Sequence, residues 1–293
     1  MLIATFIAAD TMKKGEINSL GNLLQDVGCR IHDIGAIQDG KAVDILFDGD
    51  ANVANEAMTS LRESYDFGIF SPENRRKKLL ISDMDSTMIT VECIDELADY
   101  AGIKEKIAEI TERAMQGELD FEEALRGRVA LLKGLNIDAI GRCLKERVQI
   151  MPGAKTLVKT MRKLGADTIL VSGGFTSFAK PVAEEIGFAR SEANILGIEG
   201  SHLTGLLDGP IVDSSRKAEI LNQSIAASGH VMSDCLAVGD GANDIPMIEL
   251  AGLGVAYHAK PKAAQAADVA VSHNDLTALL YLQGIPSSEW VTA

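Results

Sequence analysis

Residues 79–87 read LLISDMDST, an apolar run closed by two aspartates, Asp83 and Asp85, and followed by Ser86 and Thr87. A short continuous apolar stretch of this kind is a buried strand, and alternate residues at its end project to the same side. Two carboxylates there stand where open α/β sheets receive ligands, and like charges so close call for a metal or a cationic substrate group. Further runs follow at 168–172 (TILVS), 235–239 (CLAVG), 253–257 (LGVAY) and 269–271 (VAV), alternating with helical patterns. That order predicts an α/β fold, a parallel sheet with crossover helices. Between the first two strands, residues 93–149 are helix-rich and too long for a simple crossover, so they are expected to form an inserted cap.

Two other strand ends carry chemistry. CLAVGDGAND, residues 235–244, ends in Gly239, Asp240, Gly241, Asn243 and Asp244. Glycines let the backbone turn tightly, and carboxylates are the hard oxygen ligands that Mg²⁺ prefers. A dinucleotide turn is the competing reading, but the rest of that fingerprint is missing. TILVS ends at Ser172-Gly173-Gly174, a hydroxyl and approachable backbone N–H groups near an expected helix start, suited to phosphate oxygens. Lys217, at the start of a helical pattern, can bring a point charge to the same phosphate.

Composition narrows the partners. The 293 residues carry 42 acidic and 28 basic side chains, a formal charge of -14, which excludes nucleic acid because counterion release needs a basic surface. No apolar run approaches the ~20 residues of a membrane span, so no membrane role is expected. Cys29, Cys93, Cys143 and Cys235 are far apart and read as buried, reduced thiols, which favours the cytoplasm. The opening MLIATFIAAD lacks a basic leader and reads as a first strand. His32, His202, His230, His258 and His273 form no metal-spaced group, and no serine-hydrolase elbow is present.

Residues 1–72 run strand (2–8), helix (17–27), strand (30–37), strand (42–47), helix (53–63), strand (67–70), with a hairpin turn at 38–41. This is the α+β ferredoxin-like order, and it resembles an ACT-like module, which implies a regulatory site for a small amino acid or a dimerisation surface, hence a homodimer. The basic run Arg75–Lys78 is expected to be a solvated strand flank. The catalytic part is expected over 73–293.

D-x-D-S-T, S-G-G, a later lysine and G-D-G-A-N-D, in that order at strand ends, resemble the haloacid dehalogenase superfamily, which implies a Rossmann-like core with an inserted helical cap. DMDSTMITVECIDELA, MQGELDFEEALRGRVALLKGL, VSGGF and GDGANDIPMI are similar to the phosphoserine phosphatase branch. The resemblance implies Mg²⁺-dependent hydrolysis of O-phospho-L-serine, the last step of serine biosynthesis. It implies Asp83 as nucleophile, Asp85 as general acid and base, and Mg²⁺ on Asp83, the Asp85 carbonyl, Asp240 and Asp244. Ser172, Gly173, Lys217 and Asn243 would hold the phosphoryl group. Glu92 would accept the ammonium and Arg128 the carboxylate, with Arg126 its rival, while Met115 and Phe121 would close over the substrate. A phosphotransferase acting on an alcohol such as homoserine, and a weakly active serine-sensing regulator, are the alternatives.

Overall fold

The computed structural model describes residues 1–115 and 119–292, without the side chains of residues 112, 114 and 115. Among the described residues, the first sheet contains β1 (Leu2–Ala8), β2 (Arg30–Gln38), β3 (Ala42–Asp48) and β4 (Tyr65–Phe70), antiparallel in the order β2-β3-β1-β4. Helices α1 (Lys14–Asp26) and α2 (Ala51–Ala57) cover one face. Alternation along β1 sends Ala4, Phe6 and Ala8 toward those helices, while Ile7 belongs to the larger core of the molecule. The expected second helix starts earlier, because the Asp50 carboxylate accepts the N–H groups of Asn52 and Val53, and it gives way to a 3₁₀ turn over Thr59–Glu63.

The second sheet is built from β5 (Leu79–Ser82), β6 (Asp167–Phe175), β7 (Arg190–Glu199), β8 (His202–Asp208), β9 (Cys235–Gly239), β10 (Leu253–Tyr257) and β11 (Val269–Val271) in the order β11-β10-β9-β5-β6-β7-β8. All neighbours are parallel except β7 and β8, an antiparallel hairpin at one edge. Both faces are covered: Leu79, Ile81, Ile169 and Val171 pack with Ile220 and Leu221 on one side, and Leu80 and Leu170 join Phe175, Phe178 and the cap helices on the other.

Between β5 and β6 come α3 (Cys93–Tyr100), α4 (Lys104–Met115), α5 (Phe121–Leu131), α6 (Asp138–Glu146) and the crossover helix α7 (Ala154–Lys163). Met88, Cys93, Leu97, Leu125, Val129 and Cys143 continue the core of the sheet, so the inserted helices pack against it. The remaining helices are α8 (Thr176–Ile186), α9 (Ser214–Ser228), α10 (Ile245–Leu250), α11 (Pro261–Ala266) and α12 (Ala278–Leu282). No helix is long and apolar enough to cross a membrane among the described residues. All four cysteines are buried and free.

The basic run departs from its expected role at Arg75. Arg75 donates to both Asp44 oxygens (2.6 and 2.7 Å) and to the carbonyl of Leu282 (2.9 Å), and its side chain is only 14% exposed. Lys77 donates to the Ser233 carbonyl (2.7 Å), Arg76 pairs with Glu289 and Lys78 with Asp234. Of the four, Arg75 alone thus joins the two sheets, linking Asp44 of β3 to the end of α12, whereas Lys77 bonds within the second domain and Arg76 and Lys78 remain more than half exposed, as expected of a solvated flank.

Candidate active site

The parallel strands β5, β6 and β9 end at one edge, and their last residues meet there. Asp83 follows β5 and extends its ladder, its N–H donating to the Val238 carbonyl (2.9 Å). Lys217, in the first turn of α9, is fully buried and donates to Asp83 (2.5 Å) and to Asp244 (2.7 Å). Asp244 in turn accepts the N–H groups of Asp240 (3.2 Å) and Gly241 (3.0 Å), fixing the turn after β9. A side chain at Gly239 would collide with Asp244, and one at Gly241 with Asn243, which explains the glycines of this motif.

Asp85 stands apart from that triad. Its carboxylate accepts the Cys93 N–H (2.9 Å) at the start of α3 and the Ser172 hydroxyl (3.2 Å). A Cβ on Gly174 would lie 2.8 Å from the same carboxylate, so the Gly-Gly pair is what lets β6 approach Asp85. Here the structure differs from expectation: the strand continues with a bulge through Gly173 and Gly174, and the helix begins only at Thr176. The bulge is propped by Asn194 of β7, whose side chain donates to the Gly173 carbonyl (2.8 Å) and accepts the Val212 N–H (2.8 Å).

Charge is crowded at this edge. Burial first, then the Asp244 charge, push Asp83 well above the usual carboxylate range, with Lys217 pulling the other way. Burial and the Glu92 charge push Asp85 up to about 6. Asp240, raised by burial and Asp244 despite the nearby Lys260, also reaches about 6. Burial opposes the Lys217 charge, yet Asp244 and Asp83 outweigh it and hold the ammonium protonated. Oxygens of Asp83, Asp240 and Asp244 all lie within 4.8 Å of one another. Three buried carboxylates, two of them bonded to one ammonium, form a hard, oxygen-only donor set with an excess of negative charge, which fits a small divalent cation.

The cap residues face this edge. Glu92 immediately precedes α3 and accepts the Ser86 hydroxyl (2.7 Å), Ser86 holding a left-handed backbone (φ +56°). Arg128 of α5 is half-buried, its Nε donating to the Ala124 carbonyl (3.3 Å), and burial lowers its pKa against the charges of Asp95 and Glu92. Arg126 lies on the outer face of the same helix, paired with Glu122 (2.8 Å). Phe121 is at the first turn of α5, and a Cβ on Gly173 would come within 3.3 Å of its ring. Asn243 is half-buried in the turn after β9. The Met115 side chain lies outside the described residues.

Sequence reading named Ser86 and Thr87 without a role and passed over the Cys93 N–H and Asn194, all of which complete this arrangement, the Thr87 hydroxyl donating to Asp240 (3.3 Å). Asn194 left no trace in the sequence, since it follows the polar run Arg190-Ser191-Glu192 and its matched polar atoms become visible only once β7 is placed beside the Gly173 bulge.

Comparison with known proteins follows the same lines. Residues 77–252 match the haloacid dehalogenase-like hydrolase family. A phosphoserine phosphatase of Streptomyces coelicolor is 44% identical over 215 residues, 73% of this chain and 52% of that protein, so the chain spans about half the length of that relative. Among solved structures, a probable phosphoserine phosphatase from Vibrio cholerae in unliganded form is 32% identical with a TM-score of 0.80, covering 98% of this chain and 88% of that one. A phospho-aspartyl intermediate analogue of phosphoserine phosphatase is 39% identical with a TM-score of 0.65, over 70% of this chain and 98% of its own. The chain therefore belongs to the haloacid dehalogenase-like hydrolases, within their phosphoserine phosphatase branch.

Proposed function

We propose that this protein is a Mg²⁺-dependent phosphatase that converts O-phospho-L-serine and water to L-serine and phosphate through an aspartyl-phosphate on Asp83. The observation that carries the reading is the pairing of a buried Asp83, held by Lys217 at 2.5 Å, with a second carboxyl group two residues on, Asp85, lifted to about 6. A nucleophile and a proton donor of suitable strength then flank one reacting phosphorus.

In the first step the Asp83 carboxylate attacks phosphorus in line with the serine oxygen, and Asp85 delivers its proton to that oxygen as the P–O bond breaks. A serine alkoxide is a poor leaving group, so this proton is expected to matter by ~10²–10⁴ in rate. The Cys93 N–H holds Asp85 in one orientation, while the Ser172 hydroxyl, which donates its single proton to Asp85 here, turns it to a phosphoryl oxygen when substrate is bound. In the second step Asp85, now ionised, takes a proton from the water that attacks the aspartyl-phosphate, and Asp83 is released. Lys217, Ser172, the Gly173 N–H and Asn243 are assigned to the phosphoryl oxygens. Asp83, Asp240, Asp244 and the Asp85 carbonyl would hold Mg²⁺, which when bound offsets the negative charge that builds on the phosphoryl group.

Selectivity is assigned to the cap. Glu92 takes the ammonium and Arg128 the carboxylate, the latter supported by its half-buried position and by a fork without an acceptor among the described residues, whereas Arg126 is turned out and paired. Phe121, against Gly173, and Met115 are assigned to covering the substrate. Arg128→Ala is expected to raise KM for phosphoserine roughly 10–100-fold, the loss of charge-assisted hydrogen bonds, while leaving KM for an aryl phosphate nearly unchanged. Steady-state kinetics on both substrates check this; equal effects remove Arg128 from the carboxylate role. Phosphate release from phosphoserine with Mg²⁺, abolished by chelator, tests the activity itself.

The domain limits (1–72, 73–293, cap 93–149), an ACT-like small-ligand or dimerisation role for the first domain, a homodimer and a cytoplasmic setting belong to the same proposal. The antiparallel β2-β3-β1-β4 sheet and the four free thiols support them.

The raised carboxyl groups also predict how stability depends on pH. Asp85 and Asp240 sit at about 6 in the fold, against ~3.9 for a free aspartate. Their ionised forms are thus disfavoured by folding, so the stability these two groups give the metal-free protein is fully present below about pH 4 and is lost as the pH rises through about 6. Denaturant unfolding in chelator is expected to show greater stability at pH 5 than at pH 7.5. Saturating Mg²⁺ reverses the order, since the ion binds ionised carboxylates. Chelated protein that is more stable at pH 7.5 contradicts the electrostatics described here.

A further inference from the structure

The first domain is joined to the catalytic sheet by a hydrogen-bonded path that ends at the acidic site. Asp66, on β4, is 1% exposed, and its carboxylate accepts the N–H groups of Ser272 (2.7 Å), His273 (3.2 Å) and Asn274 (3.0 Å) and the Asn274 side-chain amide (2.8 Å). A buried carboxylate is thereby matched by N–H groups from one loop, that following β11. The same loop reaches back toward the catalytic edge. The Asn274 carbonyl lies 3.0 Å from Nε2 of His258, and because a carbonyl only accepts, Nε2 carries the proton.

His258 itself is unusual. It follows β10 with a left-handed backbone (φ +43°), a conformation few residues other than glycine adopt. Its N–H donates to the Val271 carbonyl (2.8 Å), and its ring stands edge-on to Tyr257 at 4.5 Å. Two residues on, the Lys260 N–H donates to the Asp240 carbonyl (2.9 Å). The chain of contacts is therefore Asp66, Asn274, His258, the 258–260 turn and the main-chain carbonyl of Asp240, from the small domain to the backbone that carries one of the three clustered carboxylates. Other fastenings between the sheets, such as Arg75 with Asp44, do not end at the site.

We infer that Asp66 and His258 are positioning residues for Asp240, so that the docked first domain holds the cation site in register. The inference rests on reading Asp240 as a metal ligand and not on the identity of the substrate. Strained backbone persists where surrounding structure fixes it, and here it is fixed from the far side of the domain junction.

The test uses the full chain and Mn²⁺ as the probe, with free Mn²⁺ followed by electron paramagnetic resonance. Asp66→Asn and His258→Gly are expected to weaken Mn²⁺ binding about tenfold, as loss of groups that orient metal ligands does, and to raise the Mg²⁺ needed for half-maximal turnover in parallel. KM for phosphoserine at saturating Mg²⁺ stays near that of the parent. His258→Asn, which tolerates the left-handed backbone and keeps a donor, restores part of the affinity lost in His258→Gly. Arg76→Ala, which removes only the rim pair with Glu289, serves as control and keeps parental affinity. Folded Asp66→Asn and His258→Gly proteins with parental Mn²⁺ affinity overturn the inference, as does an equal loss in Arg76→Ala. Should Asp66→Asn not fold, His258→Gly decides. A parent protein that binds Mn²⁺ but does not hydrolyse phosphoserine counts against the phosphatase reading alone.

Discussion

Asp83→Asn is expected to lower turnover of phosphoserine by ~10⁴-fold or more while the protein stays folded, because the carboxamide cannot form the acyl-phosphate and no neighbour is placed to replace it. Asp85 points to the Cys93 N–H and the Ser172 hydroxyl, and Asp244 is held by Lys217 and two backbone N–H groups. The substitution also removes one of three clustered carboxylates, so weaker Mg²⁺ binding accompanies it. Assays at several Mg²⁺ concentrations separate the two effects: a loss of the nucleophile is not restored by more metal. A folded Asp83→Asn protein that reaches near-parental turnover at high Mg²⁺ would assign the nucleophile elsewhere.

The second large effect is expected at Lys217, which unites structure and chemistry in one side chain. It is wholly buried between Asp83 and Asp244, and Lys217→Ala leaves both carboxylates without their ammonium. Breaking a buried ion pair on one side costs about 3–5 kcal/mol, so the unfolding midpoint of metal-free Lys217→Ala should fall sharply. Added Mg²⁺ recovers part of that stability, since it supplies a cation to the same oxygens. Turnover remains depressed by about 10²–10³, as for removal of a donor that stabilises charge in the transition state. An unchanged unfolding midpoint in chelator would mean that Lys217 does not carry the charge balance of this edge.

Much of the catalytic edge was legible because its signals are local. LLIS followed by Asp83 and Asp85, and CLAVG followed by Asp240 and Asp244, show a buried strand and a polar end within a few residues. The β7–β8 hairpin was not read, since its inner and outer residues, Leu196 and Leu203 inside but Ile195, Ile198 and Leu206 outside, blur the alternation that marks a strand. Arg75 misled for another reason. Its partners, Asp44 and Leu282, are distant in sequence, and charge alone does not tell a solvated flank from a fastening. The same holds for Asp66 and His258, whose partners lie up to 208 positions away. Arg126 and Arg128 differ only by the face of α5 they occupy, which depends on where the helix packs.

The central claim is that Asp83 becomes phosphorylated during turnover. The most direct measurement is to quench the protein in acid while it is turning over phosphoserine with Mg²⁺, reduce it with borohydride, and identify the modified peptide by mass. Reduction of an aspartyl-phosphate leaves homoserine at the phosphorylated position, and the account predicts that residue at position 83 and unmodified aspartate at 85, 240 and 244. Homoserine at any of those three, or turnover with no modified aspartate at all, would contradict it.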